Sequence, residues 1–488
     1  MAKKRKFKWG KWSGLIYAAL AAALMLVLAF VGLGSLDWED PWLQLSPEGS
    51  LVGAKTDFTL KAGDQTSGLK EIKVTIKQDG QEKVVLIRNF PPGGEARSQV
   101  ELPLTLEPQA LGLKEGKATL TVTARDRSWG NFFQGRSQSL TRDLDIDFTP
   151  LTLAFISVNH LLRPGGTGVI LYRLNKAAKE SGVQVEGRLY QGYPNPQGAP
   201  GEYAAFFPIP QEAKGTAQVV VVARPMVGEE LRQTVTIQLK PRKWREDRLN
   251  LSEDFMRRMA GSFPVSNPTD PLQAFLEINR DLRKANHEKV QQVCRESRPK
   301  PLWSGAFQRF LGKPMARFGD RRTYMAQGKA VDHQVHQGED LASLEHSPVP
   351  AANNGVVVLA EPLGIYGQTV IVDHGLGVFS MYSHLSRMAV KTGDEVKKGA
   401  VLGNTGTTGL AGGDHLHFSM IIQGAFVDPV EWWDPHWLKD QVEKQWAKAG
   451  VSQAASAQDG GAPEETAPGK GKAGKGKSKR KKGPKPQE

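Results

Sequence analysis

The sequence predicts a mainly β protein with an N-terminal transmembrane helix, two β-sandwich-like modules, a short helical connector and a C-terminal β-rich domain. Three patterns predict this: repeated alternation of apolar and polar residues, one long run without charge, and helical spacing confined to one segment. The chain has 488 residues, room for about three domains. Its 39% of hydrophobic and 24% of charged residues exclude a wholly disordered protein.

The uncharged run covers residues 14–36, long enough to cross a bilayer as a helix. Six Lys and Arg residues lie in the preceding segment 1–13, and Asp37, Glu39 and Asp40 follow the run. By the positive-inside rule we expect a basic cytoplasmic segment 1–13, a single-pass anchor in the cytoplasmic (inner) membrane, and export of the rest to the periplasm or outer face. A cleaved signal peptide is the competing interpretation.

Two β modules are predicted over residues 45–149 and 150–247. Residues 70–77 alternate apolar and polar side chains, the Asp-Gly pair at 79–80 is typical of a hairpin turn, and residues 117–125 form another β-rich run. The first module resembles the immunoglobulin-like modules of bacterial envelope proteins. Neither module contains a set of catalytic residues, so we interpret both as spacers or docking modules.

A change of pattern marks residues 248–303. Apolar residues recur there at helical spacing, and Asn267-Pro268 divides the stretch into two helices. We interpret this segment as a packing connector.

The positive charge of the chain is concentrated at its two ends. The formal net charge is +13, yet residues 470–488 carry nine Lys and Arg residues and one Glu, and the chain between the two termini is close to neutral. We therefore expect no nucleic-acid partner for the folded part. The low-complexity tail 451–488 is predicted to be disordered, and either binds anionic envelope polymers or serves only as a solubilising tail.

Seven of the ten histidines fall within residues 333–417, which suggests a metal or acid–base site. His415 and His417 lie in an apolar run that reads as a strand, so they and Ser419 are expected on one face. Of two imidazoles on an open face, one can serve as a metal ligand and the other can accept or donate a proton.

A second candidate is the pair His336 and Asp340, expected on a loop that enters a strand at Leu341. With one histidine of the 415–417 pair they make three zinc ligands, and a water in the fourth position gives a catalytic zinc. A third candidate is His384, expected to share a strand face with Tyr382 and to poise a water or stabilise an oxyanion.

These elements, in this order, resemble the lysostaphin-type (LytM-like) zinc metallopeptidase domain of bacterial peptidoglycan endopeptidases. The resemblance runs from Phe318 to Trp433 and covers about a quarter of the chain. It rests on Phe318-Gly-Asp-Arg-Arg322, His336-x-x-x-Asp340, Tyr366-Gly-Gln-Thr-Val-Ile-Val-Asp-His-Gly375, Tyr382-Ser-His-Leu385, Gly403-Asn-Thr-Gly-Thr-Thr-Gly409 and His415-Leu-His-Phe418.

The resemblance implies a metallopeptidase domain over 304–436. It assigns Zn²⁺ to His336, Asp340 and His417, and acid–base and transition-state roles to His384 and His415. It also implies that the substrate is the peptide part of peptidoglycan, cleaved at stem peptides or cross-links during cell-wall remodelling. Two other hypotheses stay open: a catalytically silent envelope scaffold that activates other wall hydrolases, and a processing protease for exported proteins.

Overall fold

The computed structural model describes residues 12–34, 39–91, 99–128 and 134–446. Strands predominate over helices in this part of the chain and form several sheets, so the prediction of a mainly β protein is confirmed. The predicted tail 451–488 and nearly all of the basic segment 1–13 lie outside the described residues.

The apolar run near the N-terminus contains helix α1 (Trp12–Gly34). Within the residues that the structure describes, no helix is both long and apolar enough to cross a membrane. The transmembrane helix predicted over 14–36 is therefore not supported.

The first β region has two sheets, ordered β1-β3-β6 and β2-β8-β7-β4-β5, and side chains of both form one core. The predicted hairpin is confirmed, because Asp79 (φ 50°) and Gly80 (φ 80°) join β4 to β5 in a two-residue turn. The strands are β1 (Trp42–Ser46), β2 (Leu51–Val52), β3 (Thr56–Gly63), β4 (Leu69–Gln78), β5 (Gln81–Asn89), β6 (Val100–Leu106), β7 (Gly116–Asp126) and β8 (Ser137–Ile146).

The second β region also has two sheets, ordered β10-β17-β16-β12-β13 and β14-β15-β11-β9. Its core is continuous with that of the C-terminal region. The strands are β9 (Leu153–Val158), β10 (Leu161–Leu162), β11 (Thr167–Leu174), β12 (Ala178–Val185), β13 (Arg188–Gln191), β14 (Tyr193–Pro194), β15 (Glu202–Pro208), β16 (Thr216–Pro225) and β17 (Leu231–Leu239).

The helical segment begins with α2 (Glu253–Ser262), whose N-cap Ser252 accepts a hydrogen bond from the Phe255 amide. Asp270 caps α3 (Pro271–Glu277) in the same way, through the Gln273 amide. A π-helical turn (Ile278–Leu282) then leads into α4 (Arg283–Val293). Two helical stretches separated near Asn267-Pro268 are what the sequence predicts.

The C-terminal region is built on one large sheet, ordered β19-β22-β30-β26-β25-β24-β28 with β31 paired to β30. Two smaller sheets, β18-β20-β21 and β23-β29-β27, accompany it. The strands are β18 (Glu246–Asn250), β19 (Lys313–Ala316), β20 (Arg321–Ala326), β21 (Lys329–Val335), β22 (Glu339–Ala342), β23 (Pro348–Pro350), β24 (Gly355–Pro362), β25 (Gln368–Asp373), β26 (Val378–Leu385), β27 (Arg387–Met388), β28 (Glu395–Val396), β29 (Val401–Asn404), β30 (Leu416–Ile422) and β31 (Ala425–Val427).

Short helical elements complete the C-terminal region. A 3₁₀ turn (Gly364–Tyr366) precedes β25, and α5 (Pro429–Trp433), α6 (Pro435–Leu438) and a π-helical turn (Lys439–Glu443) follow β31.

A buried interface joins the second β region to the C-terminal region. The Thr167 amide donates to the Glu431 Oε2 atom at 2.8 Å, and the Trp432 indole N–H donates to the Thr167 hydroxyl at 3.2 Å. Trp432 is fully buried, with its ring centroid 5.9 Å from that of Phe206 and 6.1 Å from that of Trp303. Such aromatic burial stabilises contact between the two regions.

Glu431 makes this interface sensitive to pH. Burial raises its pKa from 4.5 to about 8, although the hydrogen bond from Thr167 opposes the shift. Between those two values the folded protein therefore holds a proton that the unfolded chain has lost. The stabilisation by the neutral carboxyl group is complete at low pH and decreases as the pH rises towards 8.

We predict that Glu431→Gln flattens the dependence of the unfolding free energy on pH, because the amide keeps an acceptor oxygen for Thr167 but cannot ionise. The wild type should lose at most about 1.4 kcal/mol of unfolding free energy per pH unit between about pH 5 and about pH 8. Urea unfolding across that range measures the slope. The exposed Glu395→Gln is the control and should keep the slope of the wild type. An equal slope in Glu431→Gln would contradict the assignment.

Candidate metal centre

Two paired strands and one turn bring three candidate ligands together. Strands β22 and β30 are antiparallel, and their register places Asp340 directly opposite His417. His336 lies just after β21, in the turn that leads into β22. Asp340 is already within strand β22, so the predicted entry into this strand at Leu341 was two residues late.

The three ligand atoms lie at the corners of a small triangle. His336 Nε2 is 3.0 Å from Asp340 Oδ1 and 3.0 Å from His417 Nδ1, and the latter two atoms are 2.9 Å apart. All three residues are buried. Among the described residues, these three form the group of His, Cys, Asp and Glu side chains whose ligand atoms lie close enough together to hold a metal ion.

Neighbouring hydrogen bonds determine which ring nitrogens carry protons. His336 Nδ1 lies 3.0 Å from the carbonyl oxygen of Arg317, which only accepts, so Nδ1 is the protonated nitrogen. The Ser419 hydroxyl donates to the Gln337 carbonyl at 2.9 Å. A hydroxyl has a single hydrogen, so Ser419 must accept from His417 Nε2, 3.0 Å away.

Each corner of the triangle is therefore an atom with a free lone pair. The unprotonated His336 Nε2, the unprotonated His417 Nδ1 and a carboxylate oxygen face each other with no donor between them. Burial lowers the pKa of His417 to about 4, although contacts with Asp340 oppose the shift, so an extra proton is disfavoured near neutral pH. A cation relieves the repulsion, and two imidazole nitrogens with one carboxylate oxygen are a ligand set that suits zinc.

Arg322 orients the carboxylate of this set. Its Nη2 atom donates to Asp340 Oδ2 at 2.9 Å, which leaves Oδ1 to face the two histidines. The guanidinium is largely buried, with 19% of its side chain exposed, and its Nε atom has no hydrogen-bond partner among the described residues. Sequence reasoning did not select Arg322 as a site residue, although Phe318-Gly-Asp-Arg-Arg322 was part of the resemblance.

The other two predicted site residues lie beside the triangle. The ring centroid of His384 is 4.8 Å from that of His415 and 5.8 Å from that of His417. His384 Nδ1 donates to the Thr408 carbonyl at 2.8 Å, and His415 Nδ1 donates to the Gly413 carbonyl at 2.8 Å. Each neutral ring therefore keeps an unprotonated Nε2. His415 Nε2 is 3.6 Å from Asp340 Oδ1.

The two histidines differ in their affinity for a proton. Burial, together with charge on His415 and His417, lowers the pKa of His384 to about 3. Burial also lowers the pKa of His415, but the negative charge of Asp340 and the hydrogen bond to the Gly413 carbonyl more than offset this, so the pKa of His415 is raised. Two adjacent titratable groups with opposite shifts are a pattern seen at acid–base sites.

The expectation that Tyr382 and His384 share a face is wrong. Tyr382 packs against Phe418 in the core, whereas His384 lies next to His417 on the other side of strand β30. His384 has a φ of 61°, and this left-handed residue at the end of β26 breaks the alternation of side chains. His374, predicted to be structural, is fully buried and hydrogen-bonded to Ser380.

A cleft of about 420 Å³ lies over the triangle and gives it access to the outside of the protein. All five predicted site residues line this cleft. Phe255, Phe275 and Arg283 of the helical segment form part of its wall. The segment predicted as a packing connector thus also shapes the cleft, which its apolar spacing alone did not indicate.

Comparison with known proteins identifies the C-terminal domain. Residues 334–429 match the model of Peptidase family M23, so the chain carries an M23 peptidase domain at its C-terminal end. All five predicted site residues fall within that range.

Individual proteins are also similar to a part of the chain. The DD-carboxypeptidase/endopeptidase Mpg of Neisseria meningitidis is 38% identical over 97 residues, 20% of this chain and 22% of that protein. The peptidoglycan DD-endopeptidase ShyA of Vibrio cholerae is 35% identical over 96 residues, 20% and 22% of the two chains. The catalytic domain of lysostaphin from Staphylococcus simulans is 28% identical, with a TM-score of 0.22 over 25% of this chain and 92% of that domain. The chain spans about a fifth of the length of the curated relatives it matches.

We predict that Arg322→Met weakens zinc binding about 10- to 100-fold, because Asp340 then loses the donor that orients its carboxylate. Competition with a chromogenic chelator measures the affinity. The control is Arg321→Met, which removes a neighbouring guanidinium paired with the exposed Glu212. Equal zinc affinity in both variants would mean that Arg322 does not orient the ligand.

Proposed function

We propose that the M23 peptidase domain of this chain is a zinc-dependent endopeptidase that hydrolyses peptide bonds in peptidoglycan stem peptides or cross-links. The observation that carries the proposal is the triangle of three acceptor atoms at the floor of an open cleft, with two further histidines beside it. The names of the relatives, which include peptidoglycan DD-endopeptidases, support the choice of substrate.

His336, Asp340 and His417 would hold the zinc ion through Nε2, Oδ1 and Nδ1. Zinc in such a site supplies Lewis acidity, which polarises the scissile carbonyl and acidifies a water molecule. The hydrogen bonds from the two ligand histidines to Arg317 and Ser419 keep the rings in the tautomers that binding requires.

The two neighbouring histidines would position the water and handle its proton. His384 is buried and neutral, and Nδ1 is committed to Thr408, so its Nε2 is suited to accept a hydrogen bond from the attacking water and to orient it. His415 holds a proton more readily, so it would take the proton of that water and return it to the leaving amine. Either residue removed alone should leave the zinc ligands in place.

The cleft suits a short extended peptide. A volume of about 420 Å³ accommodates a few residues, and its walls combine apolar side chains such as Phe275 and Ile365 with polar groups around the triangle. Such a cleft admits a thin peptide stem or bridge.

Two variants should separate metal binding from chemistry. His417→Ala should abolish both zinc retention and cleavage of purified peptidoglycan, because one of the three ligands is lost. His415→Ala should retain zinc and lose most activity, by about 10²-fold or more, because proton transfer is impaired. Zinc content by elemental analysis and released fragments by mass spectrometry measure the two effects, with Arg321→Met as the control.

The same assay distinguishes the competing hypotheses. A catalytically silent scaffold predicts no chelator-sensitive cleavage of peptidoglycan by the wild type. A processing protease predicts cleavage of an exported protein and none of peptidoglycan. Unchanged turnover in His417→Ala would contradict the ligand assignment itself.

We also propose that the peptidase domain is exported, because peptidoglycan lies outside the cytoplasm. The six basic residues in 1–13 precede an apolar run, and this order favours transfer of the following chain across the membrane. A C-terminal alkaline phosphatase fusion, which is active only after export, should be active. If the fusion protein accumulates in the cell but its phosphatase is inactive, export is contradicted.

A further inference from the structure

A second concave surface lies beside the metal cleft and is strongly basic. This basic groove, of about 850 Å³, is lined by the segment 240–245, strand β19 and neighbouring residues of the second β region and the peptidase domain. Its cationic residues are Arg163, Lys240, Arg242, Lys243, Arg245, Lys313 and Arg317, and its acidic residues are Asp320, Glu339 and Asp428.

The acidic residues do not neutralise the groove. Asp428 pairs with Arg242 at 2.7 Å, and Asp320 pairs with Arg245 at 2.6 Å, and both carboxyl groups are nearly buried. Glu339 accepts a hydrogen bond from the Phe318 amide.

Five cations remain without an ion pair among the described residues. Each of them is exposed to solvent. They are Arg163, Lys240, Lys243, Lys313 and Arg317. A concave surface lined by charges of one sign attracts ligands of the opposite sign.

Packing fixes the segment that carries several of these cations. The Trp244 indole N–H donates to the Gln211 carbonyl at 3.2 Å, and the ring lies directly against Gly319. A Cβ atom added at Gly319 would be 2.0 Å from the Trp244 ring, so only glycine allows this contact. The Arg242 guanidinium covers the ring, 4.1 Å from its centroid. The backbone that carries Lys240 and Lys243 is thus held by the packing of Trp244, and a ligand need not order it on binding.

The groove and the metal cleft are contiguous. Met315 lines both surfaces. Before it in the chain, Lys313 lines the groove, and after it, Ala316 lines the cleft. Arg317 borders the groove, while its carbonyl oxygen orients the ligand His336. A polymer whose scissile bond lies in the cleft therefore continues naturally into the groove.

We propose that the basic groove binds free carboxylates on peptide stems of the same peptidoglycan polymer whose bond is cut in the cleft. This rests on the proposed function, since it takes the polymer in the cleft to be peptidoglycan. One exposed ion pair contributes little binding free energy. Several such pairs along the groove add up, so the groove binds a polymer more tightly than a short peptide.

Binding can be tested without cleavage. The full chain is sedimented with purified, phosphate-free peptidoglycan in the presence of EDTA, which prevents hydrolysis. Lys240→Glu/Lys243→Glu/Lys313→Glu should reduce the affinity about 10-fold or more, and added NaCl should weaken the wild type more than this variant. The matched control, Lys77→Glu/Lys179→Glu/Lys391→Glu, reverses three exposed lysines outside both concave surfaces and should bind as the wild type does.

Modified polymer identifies the group that is bound. The wild type should bind weakly to peptidoglycan whose carboxyl groups have been converted to amides. Its affinity for this polymer should equal the affinity of the triple variant for unmodified peptidoglycan. Undiminished binding to the amidated polymer, or equal binding by the triple variant and the wild type, would overturn the proposal. Binding that requires an attached phosphate polymer would also overturn it.

The outcome is separable from that of the proposed function. If the wild type with zinc cleaves nothing but still binds peptidoglycan through the groove, the endopeptidase proposal fails and the groove assignment stands. If it cleaves and the triple variant binds normally, only the groove assignment fails.

Discussion

The constraint on which the rest of the site depends is the convergence of three hydrogen-bond acceptors with no donor between them. His336 Nε2, His417 Nδ1 and Asp340 Oδ1 lie within 3.0 Å of one another in a buried position. Buried acceptors this close repel each other unless a cation joins them. The surrounding hydrogen bonds maintain the arrangement, because Arg317 and Ser419 fix the tautomers of the two rings. The protein thus stabilises a geometry that is costly in the absence of a cation.

The fold supplies this geometry through strand pairing. Asp340 and His417 face each other because β22 and β30 pair in one register, and a slip of one strand by one residue would place the two side chains on opposite faces of the sheet. The sheet is packed against the second β region through Trp432 and Glu431, so the two regions form one continuous core. The helical segment then closes one wall of the cleft. The elements outside the matched peptidase residues therefore shape the surroundings of the site as well.

Much of this could be predicted from local patterns. An apolar run predicted the strand that carries His417, and the Asp79-Gly80 turn predicted the β4–β5 hairpin, because both depend on a few neighbouring residues. Alternation failed at His384, whose positive φ turns its ring away from the face of Tyr382. Arg322 was missed for a different reason. Its role depends on a contact with Asp340, 18 residues further along the chain, and spacing alone does not indicate such a contact.

The sequence by itself determined the residue types and their order: the clustered histidines, the acidic partner and the resemblance to a peptidase family follow from local composition and motifs. The tertiary structure alone decided which atoms face each other, which tautomers the histidines adopt and which side chains form the cleft and the basic groove. These properties depend on strand register and on contacts between residues far apart in the chain. Side-chain periodicity describes only the geometry of one element, so it could not predict them.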